Sequence, residues 1–226
     1  MRPQQVARPA MAGALCLAVT CASAQSAHAQ SDTSGEPTAT AAMQPRIAVG
    51  HRKLDVRAGR HTKVKGRVNP GVGGMIVSLQ LRRDGVWKPI DRDRTDAAGR
   101  FRLRERLRRT GSTPLRVRVA GAPGVLPGKR RVGRLNVYRY AQASWYGPGL
   151  YGNPTACGGT LYAGRLGVAH KSLPCGTMVK FKHGRHEVRV PVIDRGPYVA
   201  GREYDLTAAT AERLGFEGHG AILTTR

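Results

Sequence analysis

The chain has 226 residues, 38 of them Lys or Arg and 14 Asp or Glu, for a formal net charge of +24. Apolar residues make up 40% and aromatics 5%, with 29 Gly and 14 Pro; that supplies a core while excluding a helical bundle and full disorder. One stretch alone is continuously apolar, at the extreme N-terminus, so a multi-span membrane protein is excluded and the length suits one large domain or two small ones.

Arg2 and Arg8 precede Ala10 to Ala24, about fifteen mostly apolar residues, short of the ~20 needed to cross a bilayer. Ala27-His28-Ala29 then places small residues where a signal peptidase reads. The sequence therefore predicts a signal peptide over 1–29, cleaved before Gln30, and a disordered Ser/Thr/Ala/Pro-rich spacer over 30–45. The mature protein is expected to be secreted or cell-wall associated, with no stable membrane span. Cleavage leaves Cys157 and Cys175 as the only cysteines. In an oxidising compartment they are expected to form a disulfide worth about 3 kcal/mol. Cys157 as a nucleophile beside His170 is the alternative, disfavoured because an exported thiol next to a second one oxidises.

Charge divides the mature chain. Residues 46–139 hold 26 Lys+Arg against 6 Asp+Glu, whereas residues 140–226 hold 10 against 6. A boundary between two modules is expected near Arg139-Tyr140.

The first module, 46–139, reads as all-β. Val77, Leu79 and Leu81 alternate with Ser78, Gln80 and Arg82; Phe101 and Leu103 with Arg100, Arg102 and Arg104; Leu115, Val117 and Val119 with Arg116 and Arg118. Successive strand residues point to opposite faces, so each strand presents one apolar and one arginine-bearing face. Asp84-Gly85, Asp96-Ala97-Ala98-Gly99 and Asn69-Pro70-Gly71 read as the connecting turns. About seven short strands fit a β-sandwich, and the segment resembles the small immunoglobulin-like modules of secreted bacterial proteins. The arginines read either as a solvated face or as a surface for an anionic wall polymer such as teichoic acid, anionic peptidoglycan or acidic polysaccharide. Specific nucleic-acid binding is not expected, because the interleaved aromatics of a single-strand binder are scarce.

In the second module, 140–226, Met178–Lys182 and Glu187–Ile193 read as strands joined at His183-Gly184-Arg185. Thr207 reads as the N-cap of a helix over Ala208–Leu214 with Gly215 as its stop, and Ile222-Leu223 as the start of a last strand. Asp194, at the end of a valine-rich strand, is the best-placed residue for chemistry. His183 and His186 have metal-ligand spacing but flank a turn with no further ligand set, so neither a metal nor a cofactor is expected.

Five motifs follow in order: Ala143-Ser144-Trp145-Tyr146-Gly147, Thr155-Ala156-Cys157-Gly158, Val168-Ala169-His170 running to Cys175-Gly176-Thr177, Val192-Ile193-Asp194-Arg195-Gly196-Pro197-Tyr198, and Tyr204-Asp205-Leu206-Thr207. Together they resemble the RlpA-like (rare lipoprotein A-like) double-psi β-barrel family over residues 143–226. The resemblance implies a six-stranded barrel with two crossed ψ-loops, related to the barrels of expansins and some lytic transglycosylases. The whole is then an all-β protein, an immunoglobulin-like sandwich followed by a double-psi barrel with one short helix. The implied substrate is the glycan strand of peptidoglycan, cut by a monomeric enzyme. A lytic transglycosylase needs an acid for the departing glycosidic oxygen, while the sugar's own 6-hydroxyl attacks and leaves a 1,6-anhydro end. By resemblance Asp194 takes the acid role, His170 shares its groove, and Asp205 lines or supports it. Trp145, Tyr146 and Tyr198 offer flat faces for sugar stacking. One position departs: active members carry a glutamate eleven residues before the motif histidine, where this chain has Gly159. A second reading therefore stays open, a noncatalytic, expansin-like protein that binds or loosens the wall.

Overall fold

The computed structural model describes residues 41–226; the signal peptide and most of the spacer expected from the sequence lie outside them. The described residues contain thirteen strands and one short helix, and no helix among them is long and apolar enough to cross a membrane.

The chain begins with β1 (Arg46–Lys53), β2 (Asp55–Arg57), β3 (Arg60–Asn69), β4 (Ile76–Arg83), β5 (Val86–Arg94), β6 (Arg100–Leu107) and β7 (Gly111–Val119), then the 19-residue β8 (Gly128–Tyr146). Strands β1, β3 and β6 form one sheet, while β5, β4, β7 and β8 run side by side in another, with β2 added parallel to β8. Every apolar position of the alternating runs points into one core. Val64, Val77, Leu79, Leu103, Leu115, Val117 and Val119 are all fully buried there. Asp84-Gly85 makes the two-residue β4–β5 turn, with both residues at positive φ, the geometry that matches the twist of paired strands. Met43, expected in the spacer, makes a bridge to Val125. Ser78 and Gln80, expected on the solvent face of β4, are buried as well. Arg116 on β7 lies over Gln80 and donates from Nε to its Oε1 at 2.8 Å; long arginine stems cover the polar floor beneath them.

No linker separates the modules. β8 passes unbroken from one core to the next: Val137 belongs to the first apolar cluster and Ala141 to the second. At the passage, the Tyr138 hydroxyl donates to Asp55 Oδ1 at 3.2 Å, and Lys180 Nζ lies 3.7 Å from the same oxygen.

The last half of β8 enters a ring. β9 (Val168–His170), β10 (Met178–His183), β11 (His186–Asp194), β12 (Tyr204–Thr207) and β13 (Gly220–Thr224) complete it. The order is β12-β9-β11-β10-β13-β8, and a β12–β8 pairing closes it. A closed ring of this kind is consistent with a double-psi barrel. Its core holds Val179, Phe181, Val190, Tyr204, Leu206 and Ile222. His183 and His186 extend the β10–β11 hairpin by pairing with each other, which leaves a two-residue turn, Gly184-Arg185. The helix α1 (Ala208–Leu214) has the expected ends: Thr207 accepts from Thr210 N–H, and Gly215 is left-handed at φ 57°.

Candidate active site on the barrel

Four strands bring one row of residues together. Asp194 on β11 pairs with Ala169 on β9, Ala169 with Asp205 on β12, and Asp205 with Ser144 on β8. Residues paired in register share a sheet face, so two carboxylates stand on one face with the small Ala169 between them. The residues beside this row, Ala143 and Tyr204, belong to the core.

Asp194 is held at the strand end by its neighbours. Its Oδ1 accepts from Ala156 N–H at 2.9 Å and Arg195 N–H at 2.8 Å, and Tyr146 Oη lies 3.4 Å from Oδ2. Burial, reinforced by the Asp194 charge, pushes the Tyr146 hydroxyl up, which keeps it a donor. Asp205 has different company: Ser144 Oγ donates to its Oδ1 at 2.7 Å, and Arg202 Nη1 reaches the same Ser144 oxygen at 2.8 Å. Burial raises the Asp205 carboxyl above its ordinary value; the Ser144 bond and Arg202 oppose that, and the Asp194 charge adds to it.

The loops around Asp194 are tied down. Cys157 and Cys175 form a disulfide with Cα atoms 5.5 Å apart, joining the chain after β8 to the loop before β10. Cys157 N–H donates to Ile193 O, and Gly176 N–H to Val192 O. Gly167 allows β9 to approach β11, since a Cβ there would lie 2.4 Å from Ile193 Cδ1. The Arg195 guanidinium points away from the Asp194 carboxylate. It donates to Leu173 O at 3.0 Å and His170 O at 3.3 Å, and lies 3.1 Å from Cys175 Sγ.

His170 does not join the carboxylates. Its partner in register is Tyr204, and the two rings pack at 4.9 Å between centroids. Its Nδ1 accepts from Ser172 and Leu173 N–H, which leaves the proton on Nε2, 3.9 Å from Glu203 Oε1. Glu203 itself pairs with Arg139. Burial lowers the imidazole against the pull of Glu203, with Arg139 and Arg195 adding to the lowering. The geometry is that of a loop-fixing side chain. Tyr146 reaches the site, but Trp145, on the other face of β8, lines a hollow of about 320 Å³ with Ala208, Ala211 and Phe216 beside α1. Tyr198 is 82% exposed. His183 Nδ1 lies 3.2 Å from Leu214 O. Ser144 and Arg202 went unassigned in the sequence: Ser144 was visible inside its motif without a role, and Arg202 sits in a loop with no periodicity to mark it.

Gly159 has a neighbour that no motif announces. It lies at φ 73°, and Arg165 packs against it so closely that a Cβ would sit 3.2 Å from Nη1 and 3.3 Å from Nη2. Arg165 donates to Thr160 O at 2.6 Å and to Gly158 O at 3.0 Å. A guanidinium thus fills the space beside the residue where the resemblance places a glutamate.

Residues 139–224 match a family model described as "Lytic transglycolase". The "Probable endolytic peptidoglycan transglycosylase RlpA" of Synechocystis sp. is 39% identical over 106 residues, 42% of this chain and 33% of that protein. The protein of the same name from Aquifex aeolicus is 41% identical over 98 residues, 42% of this chain and 43% of its own. The "Endolytic peptidoglycan transglycosylase RlpA" of Campylobacter jejuni is 42% identical over 74 residues, 32% of this chain and 27% of its own. The chain thus spans less than half the length of each of these relatives. Among solved structures, the Streptomyces papain inhibitor aligns over 39% of this chain and 94% of its own, at 22% identity and a TM-score of 0.30. On the family and relative matches, residues 139–224 are similar to the RlpA-like lytic transglycolase domains, the similarity that the motifs from Ala143 onward carry.

Proposed function

We propose that the protein is an exported peptidoglycan lytic transglycosylase that cuts glycan strands on the carboxylate face of its barrel. The observation that carries this reading is the row Asp194–Ala169–Asp205–Ser144, two carboxylates on one face in different hydrogen-bond environments, within a segment similar to named peptidoglycan transglycosylases. The resemblance gives the acid role to Asp194. Its hydrogen bonds favour a division of labour instead. Asp194 Oδ1 already accepts from two backbone N–H groups and has no proton to give from that oxygen. Asp205, raised by burial, is the group suited to hold a proton for the leaving glycosidic oxygen. In this division Asp194 is the anion facing the positive charge that develops on the sugar, and Tyr146 orients it. The Asp205 carboxylate left by the proton transfer then takes the proton of the substrate's own attacking 6-hydroxyl, so no third group is needed to activate water.

The same proposal includes cleavage before Gln30, an immunoglobulin-like sandwich over 46–139 and a six-stranded double-psi barrel over 140–226. It also includes retention of a monomer on the wall through the basic module. Gly159, with Arg165 packed on it, favours the second reading, a noncatalytic binder of the expansin kind. Mass spectrometry of soluble products from intact and amidase-stripped peptidoglycan separates the readings. Anhydro-muramyl ends support the transglycosylase, reducing ends indicate a hydrolase, and binding without products leaves the noncatalytic protein.

A further inference from the structure

The outer face of the β5-β4-β7-β8 sheet carries two cross-strand rows. One runs Arg131, Arg116, Gln80, Pro89; the next runs Lys129, Arg118, Ser78, Arg92. Five of these eight positions are cationic and none is acidic. Among the described residues, none of the five cations has a carboxylate within salt-bridge reach. The two carboxylates of β5 are turned to the opposite side, where Asp91 accepts from Arg104 N–H and Asp93 from Arg102 N–H, both at 2.6 Å.

This face is also built. Arg116 is fixed from two sides, by Gln80 beneath it and by the Trp87 ring 4.3 Å from its Cζ. Trp87, Arg116, Lys129, Arg130 and Arg131 line a hollow of about 320 Å³. Neighbouring strands stand about 4.8 Å apart, and alternate residues along one strand about 7 Å apart. The cations thus form a grid whose mutual repulsion has no internal partner to relieve it.

We propose that this face binds a linear polymer carrying a phosphodiester in each repeat and no stacking bases, such as a polyol-phosphate wall polymer. The grid offers repeated charge in two directions, as a chain of anions requires. Arginine's planar fork takes two oxygens of a phosphate, and the tetrahedral group lets guanidiniums on adjacent strands share one anion. A single aromatic, Trp87, gives no series of platforms for successive bases, and a flat sheet face does not enter a duplex groove. The inference deepens the wall-retention part of the reading above and is independent of the barrel's chemistry.

The test is calorimetric titration of the full mature chain with poly(glycerol phosphate) at several salt concentrations. Wild type is compared with Arg116→Gln/Arg118→Gln, with Lys129→Gln/Arg131→Gln, and with Arg185→Gln/Arg213→Gln, which removes equal charge away from the face. Each face variant is expected to lose about tenfold or more in affinity near physiological salt. Its slope of log K against log salt should fall by roughly 1.4, while the off-face variant changes little. Two face variants, each checked by thermal melting, guard against a single misfolded protein. Equal losses in all three variants, or none, overturn the proposal. Single-stranded DNA binding as tightly as the polymer overturns it in favour of nucleic acid, and polyglutamate doing so makes the face a general anion surface. Activity on soluble glycan chains free of the polymer is read separately, so a failure here leaves the transglycosylase reading standing.

Discussion

The two charged faces of this protein arise in opposite ways. On the β4–β7–β8 face, arginines come from simple alternation along single strands, as at Arg116 and Arg118 around the buried Val117. On the barrel, Asp194, Asp205 and Ser144 lie on three strands and meet only because β9 and β12 are slotted between β11 and β8. One face repeats a single charge and suits a repeating partner. The other sets two carboxylates in unequal surroundings and suits a single chemical step.

If that contrast holds, the largest effect belongs to Asp205→Asn. Formation of anhydro ends should fall by about 10²- to 10⁴-fold, with polyanion binding unchanged; the readout is product yield beside calorimetry. Next comes the staple around Asp194. Replacing both cysteines, Cys157→Ser/Cys175→Ser, should lower stability by about 3 kcal/mol in denaturant titrations and cut activity through the loosened Ala156 and Arg195 donors. Thr207→Ala should cost about 1 kcal/mol, since Thr207 caps α1 and also hydrogen-bonds Gly167; the urea midpoint reports it.

The smallest effect is a pH trend. Because burial raises the folded carboxyl of Asp205 above its unfolded value, wild type loses stability as pH climbs from the ordinary carboxylate range through the raised value. Asp205→Asn lacks that loss. Its thermal midpoint relative to wild type should therefore rise as pH climbs above the ordinary carboxylate range, about pH 4; a flat difference would remove the argument that Asp205 is the protonated partner.

The same contrast explains what was readable in the sequence. Local signals carried their information directly: Thr207 and Gly215 at the helix ends, Asp84-Gly85 at a hairpin, and the alternating valines of β11 all depend on near neighbours. The Cys157–Cys175 pairing followed from the expectation that Cys16 and Cys21 leave with the signal peptide. The face occupied by His170 was not readable, because β9 has three residues and too short a run to show alternation. Trp145 and Tyr146 adjoin in sequence, yet only the register of β8 against β12 decides which of them meets Asp194. Burial of Ser78 and Gln80 depended on arginines from another strand. The unbroken course of β8 was likewise hidden, since a shift in charge does not require a break in the chain.

The central claim is that the carboxylate row does chemistry while the arginine face only holds. It is tested most directly by incubating wild type, Asp205→Asn and Arg116→Gln/Arg118→Gln with soluble glycan chains and measuring anhydro-muramyl ends by mass spectrometry. The account predicts such ends from wild type and from the arginine variant at equal rates, and none above background from Asp205→Asn. Undiminished anhydro products from Asp205→Asn, or no products from wild type, would contradict it.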